Sequence, residues 1–295
     1  MQIGATLFAT DRSWHPGELA PELEARGYSS LWLPEHTHIP LSRLTPPPTG
    51  EDPLPEMYKR TLDPFVALTW AAAATERLRL GTGILLPAQR DPIITAKEAA
   101  TLDHLSGGRL ELGVGFGWNE DELAHHGVAM RDRRTVVEER VRVMQALWAD
   151  EEAEFHGAHH DLAPSWAWPK PVQTVVRPGP DGGQVERPGV PVHLGGISSP
   201  TVFGHVQRWG DGWIPIGGAG LTDDIGRFRA EAQAAGRDPG RLKVLTFGTL
   251  PEHVRDPIAI KVFGIQDELL HPKGEKVVAE RLEGFPGAPG LAEGP

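Results

Sequence analysis

Two imidazoles and a carboxylate stand close together in Leu31-Trp32-Leu33-Pro34-Glu35-His36-Thr37-His38, directly after an apolar run. Histidine exchanges protons near neutral pH, so this stretch is a candidate for acid–base chemistry; a polar loop cap uses the same residue types. A second candidate is Gly113-Val114-Gly115-Phe116-Gly117-Trp118-Asn119-Glu120. Glycines let a ligand approach the backbone, and a following helix N-terminus favours anionic groups. The third glycine comes too early for a dinucleotide-binding fingerprint, and tight strand-to-helix packing is the plainer alternative. A third is Gly195-Gly196-Ile197-Ser198-Ser199, whose successive N–H groups would cradle a phosphate unless the stretch is a simple turn, with Gly217-Gly218 as a similar element beside it. His156, His159, His160 and Asp161 are metal-ligand types without helical spacing, and His125 and His126 would point apart on a helix. Trp32, Trp118, Trp166, Trp168 and Trp213 include several that follow apolar runs and would wall a flat-ring pocket, although aromatics mostly fill cores.

These motifs need elements to hold them on one face. Apolar runs predict strands over 2–8, 30–33, 78–86, 109–114, 190–194, 211–216 and 242–247. Helices are predicted over 16–26, 64–76, 92–105, 133–148, 200–209 and 223–235, with a short one from 119. Pro16, Pro64 and Pro92 suit first helical turns, and Gly27 suits a C′ position. Strands alternating with helices imply a parallel sheet with right-handed crossovers. At this length the expected fold is α/β, a (β/α)8 TIM-type barrel, in which chemistry sits at the C-terminal ends of the strands. Residues 37–61 and 150–189 are long insertions after strands two and four, expected to cover the mouth. After Leu250 the rhythm is lost; 262–265 offers a short strand and the last βα unit stays open. The expectation is a single domain over 1–295 with an atypical segment at 251–295.

The 295 residues are 39% hydrophobic, enough for one large core. A net charge of −11 without a basic run argues against nucleic-acid or membrane-surface partners. There is no cysteine, which excludes disulfides, thiolate catalysis and cysteine-held metal sites. No stretch approaches the roughly 18 apolar residues of a membrane span, and no signal-peptide pattern opens the chain. A cytoplasmic protein acting on a small molecule is the expectation.

At the motifs above, the sequence resembles the luciferase-like monooxygenase superfamily, and within it the branch dependent on the deazaflavin coenzyme F420. The matching stretches are 30–38, 77–84, 91–105, 106–120 and 211–213, which together span residues 1 to about 250. The resemblance implies a barrel with the cofactor ring across the strand ends. It implies a non-proline cis peptide at Gly83-Ile84, with glycine at 83 clearing room for the ring. Gly115, Gly117 and Asn119 would approach the cofactor, and Gly195, Gly196, Ile197 and Ser198 would hold its phosphate. His36 maps near the reactive edge and is expected to carry the proton, with Glu35 tuning or positioning it. His38, Phe116, Trp118 and Trp213 would shape the substrate pocket, and Arg43, Lys59, Arg60 and Arg90 are candidates to meet an oligoglutamate tail. Sugar-phosphate dehydrogenases of this group carry a glutamate where Phe116 stands and a tryptophan where Pro40 stands, which speaks for a more apolar substrate here. The expected activity is F420-dependent hydride transfer, with a homodimer as the assembly and no metal. The alternatives are an FMN-dependent monooxygenase, a carrier that binds the ring without turnover, and a metallohydrolase using His36, His38 and the 156–161 cluster.

Overall fold

The structure is a computed structural model, and it describes residues 2–47, 50, 53–179, 181–216, 220–247 and the backbone of 259–264. Eight parallel strands form the barrel: β1 (Gln2–Thr6), β2 (Ser30–Leu33), β3 (Arg79–Leu85), β4 (Leu110–Val114), β9 (Val192–Gly196), β10 (Gly212–Pro215), β11 (Lys243–Phe247) and β12 (Ala259–Gly264). Between β4 and β9 lie two antiparallel hairpins, β5 (Ala153–His156) with β6 (Asp161–Ser165), and β7 (Thr174–Pro178) with β8 (Gln184–Pro188). The helices are α1 (Pro16–Ala25), α2 (Pro64–Ala73), α3 (Pro92–Ser106), α4 (Glu120–His125), α5 (Arg133–Ala149), α6 (Pro200–Trp209) and α7 (Leu221–Ala234).

The helix starts repeat one device. Asp63, Asp91 and Ser199 each accept backbone N–H groups of the first turn, and each precedes a proline at the first helical position. The strand that the sequence left open falls at 259–264 rather than 262–265. It pairs with β1 (Gly4 opposite Val262) and with β11 (Leu245 opposite Ile260), which completes the ring. Any helix after it lies outside the described residues, as do Gly217 and Gly218. The segment expected as a loop over 150–189 instead forms the two hairpins. Their strands are short and mostly exposed, so no run of apolar residues announced them.

Side chains alternate across each strand. Outward ones pack under the helices: Leu110, Leu112 and Val114 of β4 and Leu194 of β9 join the main core. Inward ones fill the barrel. Trp32 lies fully buried within it, its Nε1 donating to Ser30 Oγ at 2.8 Å. A Cβ on Gly81 of the neighbouring strand would stand 2.1 Å from the Trp32 ring, so glycine is what admits the indole there. Above it lie Ile214, Leu245, Ile84 and Phe247 as a separate apolar cluster.

The base of the barrel is charged. Glu111 is fully buried and accepts from Arg79 Nε, His193 Nε2 (2.7 Å) and Lys243 Nζ (2.7 Å). Burial pushes its carboxyl up, but the His193 hydrogen bond and the charges of Lys243 and Arg79 outweigh this and hold it well below the usual carboxylate range. Arg109, of the Ser106-Gly107-Gly108-Arg109 turn, donates to Ser106 O, Thr75 Oγ1, Leu78 O, Ala72 O and Thr75 O. That side chain locks the start of β4 to the end of α2.

Candidate functional site

The motifs singled out in the sequence come together at the C-terminal ends of the strands. The Gly83–Ile84 peptide bond is cis, as the resemblance implies. Ile84 then projects across the barrel top. A Cβ on Gly115 would lie 2.0 Å from Ile84 Cδ1, and one on Gly195 would lie 3.5 Å from Ile84 Cγ2. Ile84 thus forms an apolar floor between two strands that present no side chain. The space a side chain at 83 would take is different from the expectation: its Cβ would meet Phe247 Cε1 at 2.8 Å and Trp32 Cβ at 3.2 Å. Glycine at 83 therefore makes room for the barrel plug.

His36 stands at the rim beside an aromatic row. Its ring centroid is 5.1 Å from Tyr58 and 6.2 Å from Trp118, and Tyr58 is 4.9 Å from Phe8. The carboxylate that meets it is Glu122, whose Oε1 and Oε2 lie 3.0 and 3.2 Å from His36 Nδ1. Both side chains are buried, His36 at 7% exposure and Glu122 at 1%. Gly117, at φ 78°, turns the chain from β4 toward α4. Asn119 caps that short helix, its Oδ1 accepting from the Glu122 N–H at 3.4 Å. The spacing Asn119–Glu122 reads in sequence as an ordinary helix cap, with the glutamate turned back on the helix start. Here the glutamate crosses to another strand end, which local spacing does not reveal.

Glu35, expected to serve His36, does not reach it. Its carboxylate accepts from Arg90 Nε at 2.5 Å and from the Leu86 N–H at 2.7 Å. Burial raises its pKa, against the pull of Arg90. Arg90 also pairs with Asp63 and with Glu98 (3.0 Å) and covers the Phe65 ring at 5.0 Å. This network pins the end of β3 to the helices behind it. Arg90 is thereby removed from the candidates for an anionic tail, and Lys59 and Arg60 are paired with Glu56 (3.1 Å) and Asp11 (2.7 Å).

Two expected pocket residues point outward. Phe116 packs against His205 of α6 at 5.2 Å and lies beneath Arg134 of α5 at 5.8 Å. Trp213 is fully buried between Phe203 (5.0 Å) and Phe228 (5.5 Å) of the outer helices, its Nε1 donating to Gly196 O at 2.9 Å. Trp213 shapes the site only by fixing the Gly196 carbonyl. Trp166 and Trp168 are exposed at 75% and 57%, and Trp32 lies below the floor.

His38 belongs to a seam joining the loop after β2 to α4. His38 Nε2 is 2.8 Å from His125 Nδ1, Thr37 Oγ1 is 3.0 Å from His126 Nε2, and the Leu44 N–H donates to Asp121 Oδ2 at 2.8 Å. Burial, and then the nearby charge of His38, lower the pKa of His126. Across the mouth, Ile197 is exposed at 62%, and Ser198 Oγ accepts from Arg227 Nη2 at 2.9 Å beside the start of α6. His156 pairs with Asp161 (2.6 Å) within the first hairpin, and His160 Nε2 accepts from Arg140 Nε. Among the described residues no three His, Asp or Glu side chains converge as a metal centre, and no helix is long and apolar enough to cross a membrane.

Comparison with known proteins places this arrangement. Residues 15–256 match the family model described as luciferase-like monooxygenase. An uncharacterized protein of Mycobacterium tuberculosis is 46% identical over 216 residues, 72% of each chain. An F420-dependent glucose-6-phosphate dehydrogenase of Kineococcus radiotolerans is 29% identical over 244 residues, 79% of this chain and 64% of that one. In fold, the chain is similar to an F420-dependent secondary alcohol dehydrogenase in complex with an F420-acetone adduct (TM-score 0.63, 24% identity, 83% and 68% of the two chains). A monooxygenase from Streptomyces bottropensis gives a TM-score of 0.65 at 24% identity over 83% and 70%.

Proposed function

The chain belongs to the luciferase-like monooxygenase family, and from that premise we propose that it is an F420-dependent oxidoreductase acting on a small, apolar organic substrate. The observation that carries this reading is the meeting of the His36–Glu122 pair with the flat floor of Ile84, Gly115 and Gly195 at one barrel mouth. The floor suits a planar ring. Asn119 adds a buried side-chain Nδ2 with no hydrogen-bond partner among the described residues, a donor awaiting an acceptor. Ile84, Gly115, Gly117 and Asn119 would hold the ring, and Gly195, Gly196, Ile197 and Ser198 its phosphate at the start of α6. When bound, the reduced deazaflavin supplies a hydride. The chain's own part is to orient the substrate against Tyr58 and Trp118, exclude water with the loop after β2, and hold a proton at His36 Nε2. F420 is favoured over FMN by relatives named F420-dependent dehydrogenases. The aromatic rings of Tyr58 and Trp118 beside His36 favour an apolar substrate.

The test is a titration of the protein with F420, FMN and NADPH in parallel, read by tryptophan fluorescence. Saturable quenching is expected with F420, and Trp118→Phe should remove a large share of it. Tight FMN binding with none for F420 would replace this reading by the flavin monooxygenase one. The same reading takes the protein to act as a homodimer. The exposed apolar side chains Val66 and Trp70 of α2 and Ile94 and Leu105 of α3 are the surface a second copy would cover. Light scattering should give twice the chain mass, and Trp70→Glu should shift it toward one.

A further inference from the structure

We infer that Glu122 is a positioning residue: it fixes the ring proton of His36 on Nδ1, so that Nε2 alone exchanges a proton with the substrate. The inference rests on the reading of His36 as the proton carrier. Both Glu122 oxygens face Nδ1, at 3.0 and 3.2 Å, which is the geometry of one ring N–H shared between two carboxylate acceptors. Every hydrogen bond of His36 goes to Glu122, which leaves Nε2 as the ring atom with no partner among the described residues. The neutral ring then offers a lone pair at Nε2, and the cationic ring offers an N–H at the same place. Tyr58 and Trp118 flank the imidazole, so exchanging the two nitrogens by rotation would require moving both rings.

The pair spans 86 residues and two strand ends, and each member is held separately. His36 follows β2. Glu122 is fixed by the Asn119 cap and by Leu123, fully buried beside it. Among the described residues, His36 is the one hydrogen-bond partner of the Glu122 carboxylate. In the proton step, the Nε2–H bond of the imidazolium breaks and its electron pair stays on nitrogen. A bond forms between that proton and an oxyanion developing on the substrate. His36 returns to the neutral ring with its Nδ1 proton still facing Glu122.

The decisive measurement is the ring nitrogen spectrum of the 15N-labelled protein without cofactor, with the His36 signals assigned by their loss in His36→Asn. The expected result is a single Nδ1–H tautomer in the native chain. In Glu122→Gln, Nε2–H signals should appear, and in Glu122→Asp the Nδ1–H form should persist. With reduced F420 and a panel of uncharged ketones and enones, Glu122→Gln should lower kcat on the order of 10²-fold, with KM and F420 affinity unchanged. An Nε2–H tautomer in the native protein overturns the inference whatever the variants do. If His36→Ala loses turnover while Glu122→Gln keeps it, this inference falls and the reading of His36 stands. If His36→Ala keeps full turnover, both fall.

Discussion

Replacing His36 by alanine should lower turnover by about 10²–10⁴-fold while leaving F420 affinity unchanged. The size follows from what is removed. His36 is an imidazole at the rim whose second nitrogen has no partner among the described residues, and the buried Glu122 holds its first. Without it, water would have to deliver the proton in place of a buried, fixed imidazole. Cofactor affinity should be spared because the floor is built by Ile84, Gly115 and Gly195, none of which touches the imidazole through a side chain. Oxidation of reduced F420 with the ketone and enone panel gives the rate, and tryptophan quenching gives the affinity. Full turnover in His36→Ala would take the proton-carrying role from this residue.

The largest effect on stability is expected at the other end of the barrel. Glu111→Gln should cost about 3 kcal/mol or more, because it leaves cations facing a buried site with no counter-charge. Arg79 and Lys243 keep 27% and 34% of their side-chain exposure and can turn partly to water, which places the effect near the lower end of such losses. The pH dependence has a definite sign. The folded-state pKa of Glu111 lies below its ordinary 4.5, so its stabilisation is present above that value. It is lost as pH falls through the lower, folded value. Urea unfolding of the native protein should therefore weaken steeply below about pH 4.5, and the variant should show a flatter limb. Glu35 acts in the opposite sense, since burial raises its pKa and acid relieves that cost. An unchanged urea midpoint in Glu111→Gln at neutral pH would show that the cations hold one another apart without it.

The sequence carried the barrel well, because most of the parallel strands are short apolar runs and three of the helices open on an acid or serine before proline. It carried less about which way each strand faces. Strands buried on both sides show no polar face, so period-two alternation has no anchor. That is why Trp32 and Trp213 looked alike in sequence, although the first fills the barrel and the second packs under the helices. Phe116 follows the same rule, lying in register with outward Val114 rather than inward Gly115. Glu35 neighbours His36 in sequence, but adjacent residues at a strand end point to opposite sides. Glu122, the actual partner, is separated from it by two strands and two helices. No local pattern encodes that meeting; it exists only once β2 and β4 have paired on either side of β3.

The ring of strands also sets an order on how the molecule can be made. β1 contains the second residue of the chain, yet the neighbour that completes it, β12, ends at residue 264. During synthesis two edges with unpaired backbone groups, one on β1 and one on β11, stay uncovered until residues 259–264 have left the ribosome. Contacts between chain ends this distant form slowly. Protection from edge-to-edge association therefore arrives only with β12, and any interruption of translation before residue 259 leaves both edges open.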